Sequence, residues 1–436
     1  MKKKKFFNND QILNILSFAA IFLPVLLISG PLLTDISVSI LAISFFFFIK
    51  KKKYTQNLFF ILFFLFYLVL LFGSFFAEHK ILSFKSSLFY FRFGLFSIFF
   101  WFLIDKNNKI LNYLFYILLF CFSILIVDSI FQYVNGYNIF NMKIVNQSRI
   151  SSFFGDELKM GGYLMRFTPL LAALFFLNHN QKKEKTYLPY ILIYIFFTQI
   201  SIFLSGERTS FFLYSFIIIL LLIFLNNNNF TKISIFVVYI LLTFVLVTSD
   251  TPHKKRLIDK TLNNTKILGI DKKNIIFSQK YNEHYISAYR MFKDNKLIGI
   301  GVKNFREICK KEKYNLSKNT CTTHPHNIPL QLLSETGLIG FSFYLILNIV
   351  FWFLLAKSLI HRIFYKKIIF SNFQISLIIF FVTIIWPIAP YGNFFNNWLS
   401  AIAYFPVGIL LWSFQHTSNI YINKLKKNNL KNYFTN

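Results

Sequence analysis

Asn57-Leu58-Phe59-Phe60-Ile61-Leu62-Phe63-Phe64-Leu65-Phe66-Tyr67-Leu68-Val69-Leu70-Leu71-Phe72-Gly73-Ser74-Phe75-Phe76-Ala77 contains neither a charged side chain nor a proline. At 1.5 Å per residue, about 20 apolar residues cover a hydrocarbon core about 30 Å thick, so this run reads as a membrane-crossing helix. Lys50–Lys53 before it and Glu78-His79-Lys80 after it mark its two watery ends. The alternation of apolar run and polar break repeats along the chain and predicts helices near 12–30, 32–49, 57–77, 84–104, 110–131, 161–178, 187–204, 209–225, 230–248, 328–356, 371–389 and 394–414. The 436 residues are 55% hydrophobic with a mean hydropathy of +0.52, outside the range of soluble domains. The expected fold is an all-α polytopic integral membrane protein of about 12 transmembrane helices with one large periplasmic loop.

Met1-Lys2-Lys3-Lys4-Lys5 and the apolar run from Ile12 have the outline of a signal peptide, but no small-residue cleavage site follows and Gly30-Pro31 leads straight into the next span. The segment therefore reads as a retained first helix. With a cytoplasmic N-terminus, the inner segments are Lys2–Lys5, Lys50–Lys53, Lys106–Lys109, Lys182–Lys185, Thr231-Lys232, Lys357–Lys367 and the tail from Lys424, which hold 22 of the 47 basic residues. The opposite connections at Ala77–Lys85, Ser205–Arg208 and Trp386–Asn393 carry few, as the positive-inside rule requires. The expected organisation is a transmembrane region of about nine helices over 1–248, a periplasmic loop over 249–326, about three further helices over 327–414, and a cytoplasmic tail over 415–436. The expected location is a bacterial inner membrane, with both termini cytoplasmic and the active face periplasmic.

A net charge of +30 would suggest nucleic acid in a soluble protein; here Lys, Asn, Ile and 61 Phe are abundant together, and much of the charge flanks spans, so no nucleic-acid partner is expected. The 249–326 loop has 17 Lys or Arg against 7 Asp or Glu. Its positive field suits a diphosphate or an acidic sugar. The competing reading is that long loops translocate regardless of charge in a Lys-rich chain. No internal repeat is evident, and Pro24, Pro169 and Pro387 do not form the paired broken helices of inverted-repeat transporters.

Arg208 stands in Leu204-Ser205-Gly206-Glu207-Arg208-Thr209-Ser210 between two spans, Arg166 inside Gly161–Asn178, and Arg92 inside Ser87–Ile104. A charge in a span is costly unless paired or facing a polar cavity, and guanidinium binds phosphate oxygens bidentately. The structural alternatives are a pairing of Arg92 with Asp128 and of Glu207 with Arg208. Thr323-His324-Pro325-His326-Asn327-Ile328-Pro329 closes the loop and opens a helix. Asn327 can cap that helix, Pro329 suits its first turn, and the helix start favours anions. His326 has a side chain suited to take a proton from a sugar hydroxyl. His324 and His326 lack a third ligand at motif spacing, so no metal and no cofactor is expected. Cys309 and Cys321, in an oxidising compartment, are either a disulfide or two free thiols, whereas Cys121 is a buried apolar residue.

These stretches resemble the O-antigen ligase family, which also holds O-antigen polymerases and some protein O-oligosaccharyltransferases. His326-Asn327, nine residues, then Gly337-Leu338-Ile339-Gly340 is similar to its His-Asn and Gly-x-x-Gly signature. Arg149-Ile150-Ser151-Ser152-Phe153-Phe154-Gly155-Asp156 with Gly161, Gly162 and Pro169 resembles its segment leading into a helix; Ser205-Gly206-Glu207-Arg208 resembles its Ser-Arg turn; Met291–Phe305, with Gly299-Ile300-Gly301 and Phe305, resembles its loop motif. The resemblance implies metal-independent transfer, with inversion, of an undecaprenyl-diphosphate-linked glycan to a lipid A-core sugar hydroxyl. Membrane lipid is the surrounding solvent. The resemblance implies His326 as the base or acceptor-positioning residue and Arg208 as the diphosphate clamp, with Arg149, Arg166, Arg290, His324 and Asn327 as further substrate-binding candidates. The family's loop arginine is absent from Tyr281-Asn282-Glu283-His284-Tyr285, and Arg290 is the candidate replacement. The rival within the family is a polymerase joining lipid-linked repeat units; the rival of another class is a transporter or flippase.

Overall fold

A computed structural model describes residues 8–179, 184–265 and 278–433. The inner-side lysines Lys2–Lys5 and Lys182-Lys183, and residues 266–277 of the large loop, lie outside the described residues. The chain runs α1 (Asn9–Ile21), α2 (Leu23–Ser29), α3 (Pro31–Phe48), α4 (Leu58–Phe76), α5 (Lys80–Ser87), α6 (Phe91–Lys106), α7 (Lys109–Asn135), α8 (Met160–Asn178), α9 (Glu184–Leu204), α10 (Arg208–Phe224) and α11 (Asn229–Thr248). The large loop then holds α12 (Pro252–Lys254), a π turn (Lys255–Asp259), α13 (Lys260–Thr265), α14 (Gln279–Asp294) and α15 (Phe305–Ile308). The C-terminal helices are α16 (Ile328–Phe364), α17 (Asn372–Ile384) and α18 (Asn397–Tyr433). Among the described residues the only extended pairings are isolated bridges, Tyr137 with Lys143 and Asn146 with Arg149.

The chain is an all-α, multi-pass membrane protein. Nine helical stretches among the described residues are long and apolar enough to cross, ten if α1 and α2, bent by 51°, form one span. Two shorter apolar helices are α10 with 17 residues and α17 with 13. At 1.5 Å per residue these two reach only about 26 Å and about 20 Å, short of a full core. Three boundaries differ from expectation. The fourth span starts at Lys80 and passes through a 3₁₀ turn at Leu88–Tyr90; α17 stops at Ile384, before the backbone that Pro387 restricts; α18 continues as helix to Tyr433, where a tail was expected.

Lipid offers no hydrophobic gain for joining helices, so close approach and interhelical hydrogen bonds must hold the bundle. At the α6–α18 contact, Ser97 Oγ donates to Tyr404 O (2.7 Å), and a Cβ on Gly408 would stand 2.6 Å from Ser97 O. At one end of the bundle Lys53 and Tyr54 bind Asp105, and Arg362 donates to the terminal carbonyls of α10 at Phe224 (3.0 Å) and Leu225 (2.9 Å). A cation at a helix C-terminus answers its negative dipole end. The turn at 205–208, the large loop and the 385–396 connection gather at the other end.

The large loop is clasped to α16 largely by backbone, with Phe305 N donating to the Glu335 carboxylate (3.3 Å) as well. Ile300 N donates to Ser334 O (2.9 Å), Gly301 N to Glu335 O (3.0 Å) and Leu338 N to Lys296 O (2.8 Å). To permit this, α16 breaks at Gly337, which has φ 65° and ψ −167°. A Cβ there would lie 2.2 Å from Leu297 O, and one on Gly299 2.5 Å from Glu335 C. The Gly-x-Gly and Gly-x-x-Gly motifs are therefore two halves of one joint. Gly337→Ala should cost about 3 kcal/mol, from a left-handed conformation and a backbone clash together. A lowered melting temperature in detergent checks it; an unchanged one would refute the clasp.

Candidate active site

The Ser205-Gly206-Glu207-Arg208 turn joins α9 to α10, and its carboxylate is directed away from its neighbour in sequence. Glu207 accepts from Gly161 N (2.8 Å), Gly162 N (3.0 Å) and Ser210 Oγ (2.9 Å). It thereby satisfies the open first turn of α8, whose N–H groups have no partners of their own. A local Glu207–Arg208 pair is not formed. Burial pushes the Glu207 pKa up, against the opposing pull of the Ser210 bond, Arg166, Arg149 and the Gly162 N–H. Gly206, at φ 61°, lets the turn approach the segment before α8: a Cβ would lie 2.2 Å from Ser148 O. Ile150 N donates to Leu204 O (3.0 Å), completing the contact.

Three arginines converge on this turn. Arg256 Nε donates to Gly206 O (3.0 Å), Arg208 Nε to Arg256 O (3.2 Å) and Arg149 Nη2 to Leu158 O (3.2 Å). Arg149 is held below its usual pKa by burial first, with Glu207 opposing and Arg256 and Arg208 adding. The Arg149 Nε is buried without a hydrogen-bond partner among the described residues. No carboxylate forms an ion pair with any of the three among the described residues. Guanidinium groups so gathered, with backbone carbonyls holding only their Nε or one Nη atom, leave donors free for an anion.

The two histidines divide the next step between them. His324 Nε2 donates to Tyr391 O (3.3 Å), so its Nδ1 is the acceptor for Thr323 Oγ1 (2.9 Å). Both nitrogens are engaged. His326 has a 3.5 Å approach of Thr322 Oγ1 to its Nε2, and the Tyr391 backbone acts on its ring as well. Its ring lies 4.1 Å from that of His324 and 5.5 Å from those of His284 and Tyr281. Burial, and then the charges of His284 and Lys280, push the His326 pKa down to about 4; burial and His326 push that of His324 to about 3. His326 also has φ 59°, a left-handed backbone pinned by Tyr391 N donating to its carbonyl (2.8 Å). A non-glycine residue held there is strained, and such strain concentrates at functional positions.

On the His324 side lies a cavity of about 420 Å³, lined by Lys159, Arg166, Glu207, Lys303, Arg306 and His324. Arg166 donates to Tyr391 Oη (3.1 Å) and Gly162 O (2.8 Å) and stacks over the Tyr391 ring at 4.9 Å. Arg166 thus faces a polar cavity, as an arginine in a span must. Among the described residues, no three His, Cys, Asp or Glu side chains are grouped to hold a metal ion.

Other candidates fall elsewhere. Arg92 pairs with Asp35 (3.3 Å), and Asp128 instead binds Ser152 Oγ (2.5 Å) and Ile139 N (2.9 Å), so the Arg92–Asp128 alternative is corrected. Arg290 is exposed on α14 and donates to Lys313 O (3.3 Å), away from the histidines. It does not stand in for the loop arginine. Asn327 accepts from Leu330 N (3.0 Å) as the α16 cap and donates to Pro387 O (2.9 Å), so both its polar atoms are engaged within the protein. Cys309 and Cys321 form a disulfide with Cα atoms 5.3 Å apart, closing the loop just before Thr322.

Arg256, His284, Lys303 and Arg306 were not singled out by sequence. Each sits in a Lys-rich loop where one more basic residue carries no signal, and Arg256 and Arg306 differ from their neighbours only as two of the loop's three arginines. The stretch that carries the turn, the loop, both histidines and the Gly337 joint is the one that comparison with known families identifies. Residues 191–345 match the O-antigen ligase family. The O-antigen ligase match carries a ligase- or polymerase-like function and a membrane glycosyltransferase chemistry on lipid-linked glycans. It spans Arg208, Arg256, His324 and His326, while Arg149, Lys159 and Arg166 reach the site from outside it. Among curated proteins, none matches the chain.

Proposed function

We propose that this protein is an O-antigen ligase that transfers a glycan from undecaprenyl diphosphate to a sugar hydroxyl of lipid A-core at the periplasmic face of the inner membrane. The observation that carries the reading is the gathering of Arg149, Arg208 and Arg256, which form no ion pair among the described residues, together with His326, whose ring meets that of Tyr281, a residue that acts on Arg208 in turn. Arg149, Arg208 and Arg256 hold the diphosphate. The acceptor oxygen attacks the anomeric carbon from the face opposite the diphosphate, forming the new glycosidic bond as the bond between that carbon and the phosphate oxygen breaks. His326 takes the hydroxyl proton; the leaving diphosphate keeps the electron pair, and the arginines offset its charge. Polyprenyl diphosphate departs and the imidazolium returns its proton to water. No residue in this scheme needs a metal. The orientation rests on the lysines at the Lys53–Asp105 end, which the positive-inside rule assigns to the cytoplasm.

Deleting the gene and measuring carrier-linked glycan beside lipid A-core, by gel and mass spectrometry, tests the reading. Long carrier-linked chains beside bare core are the expected result. Core capped by a single repeat would mean a polymerase, and unchanged glycans would refute both.

A further inference from the structure

The cavity beside His324 presents four cations, Lys159, Arg166, Lys303 and Arg306, against one carboxylate, Glu207, whose oxygens are already bonded to α8 and Ser210. Lys159 is balanced by Glu157 outside the cavity, and Arg166 by the Tyr391 ring and hydroxyl. Lys303 and Arg306 form no ion pair among the described residues: Glu335 acts on both and Asp35 on Lys303 only from beyond ion-pair distance, and the Arg306 Nε is buried without a hydrogen-bond partner among the described residues. Lys303 is held in a left-handed backbone conformation, φ 59°, between Gly301 and the cap of α15. Burying uncompensated cations is costly, so a protein that does so fits an anion into the space.

The cavity is separate from the three-arginine cluster. None of those three arginines lines it; Glu207 lines it and is acted on by both Arg166 and Arg149, and of the histidine pair His324 lines the cavity while His326 faces Tyr281 and His284. Trp398 adds an aromatic face to the cavity and Asn396 an exposed amide, a mixture that suits a saccharide. One anion, the donor diphosphate, has its place at Arg149, Arg208 and Arg256. A second cationic basin across the base has no use for the same diphosphate.

We propose that this cavity is the acceptor subsite and that it selects an acceptor whose sugars carry an acidic group, phosphate or carboxylate, held by Lys303 and Arg306. The inference rests on the transfer reading above. Charge recognition of this kind costs a neutral acceptor its binding rather than its chemistry, because the acidic group lies away from the reacting hydroxyl.

The test is glycan transfer by the full chain in lipid nanodiscs, with one donor and three forms of lipid A-core as acceptor: intact, dephosphorylated with hydrogen fluoride, and carboxyl-reduced. At least one modified acceptor should show a KM raised about tenfold with kcat little changed. Which one does so distinguishes phosphate from carboxylate. Arg306→Gln should raise the KM of intact acceptor about tenfold, leave the donor KM unchanged and erase the discrimination between acceptors; Lys303→Gln serves if that variant does not fold. Equal KM for all three acceptors with the wild type overturns the inference, as does a variant that raises the donor KM, since the cavity would then belong to the donor. Absence of transfer by the wild type to any acceptor overturns the transfer reading itself.

Discussion

His326→Ala lowers glycan transfer by about 10²–10⁴-fold, the range by which a positioned general base accelerates proton removal, while the protein still inserts and binds donor. Its ring meets Thr322 at 3.5 Å and the Tyr391 backbone, and a carbonyl that accepts from one ring nitrogen leaves the other to take the proton. His324→Ala is the contrasting variant. Both its nitrogens are tied, to Thr323 and to the Tyr391 carbonyl, so it positions the strand that carries His326 and should lose roughly tenfold. The pH profile separates a base from a positioning residue. A base works unprotonated, and burial with the charges of His284 and Lys280 holds His326 near 4. The acid limb of kcat/KM should therefore fall near pH 4 rather than near the ordinary value of about 6.5. Lys280→Gln removes one of the charges that disfavour the imidazolium, so the limb should move upward. Full activity of His326→Ala, or a limb indifferent to Lys280, would sink the assignment.

Arg208→Lys is expected to lower kcat/KM about 10²-fold, and Arg256→Lys by a comparable amount. Among the described residues each arginine is oriented by a bond from Nε to a carbonyl, Arg256 O for Arg208 and Gly206 O for Arg256, which leaves the Nη atoms for an anion. A lysine keeps the charge but loses both the orienting bond and the bidentate grip on two phosphate oxygens. The two residues share one chain of contacts, so the double variant should lose less than the product of the single losses. Steady-state transfer at varied donor concentration checks this. Lysine variants as active as the wild type would remove the clamp, and full additivity would show two independent sites.

Arg290 shows where motif reading ran out. The candidate replacement for the missing loop arginine was sought on α14 because sequence proximity offered one there, yet that helix turns its Arg290 face to solvent and its His284 face to His326. The guanidinium that does join Arg149 and Arg208 is Arg256, on a π turn at the start of the loop. Nothing in a run of basic residues distinguishes the one whose Nε meets the Gly206 carbonyl. The same holds for Glu207, whose partner by proximity was Arg208 and whose partners in space are the Gly161 and Gly162 amides.

What the sequence determined by itself is what lipid enforces residue by residue: apolar runs of the right length become helices, and polar breaks become their ends. The His326-Asn327 start of α16 and the glycines at 299, 301 and 337 were legible for a similar reason, since a cap and a left-handed backbone each demand particular residue types locally. Tertiary structure decided which cations come together, which contacts each histidine makes, and that His324 rather than His326 lines the cationic cavity. Those outcomes depend on hydrogen bonds between segments up to 225 residues apart, such as Arg166 with Tyr391, and long-range pairing leaves no period or spacing in the chain from which to read it.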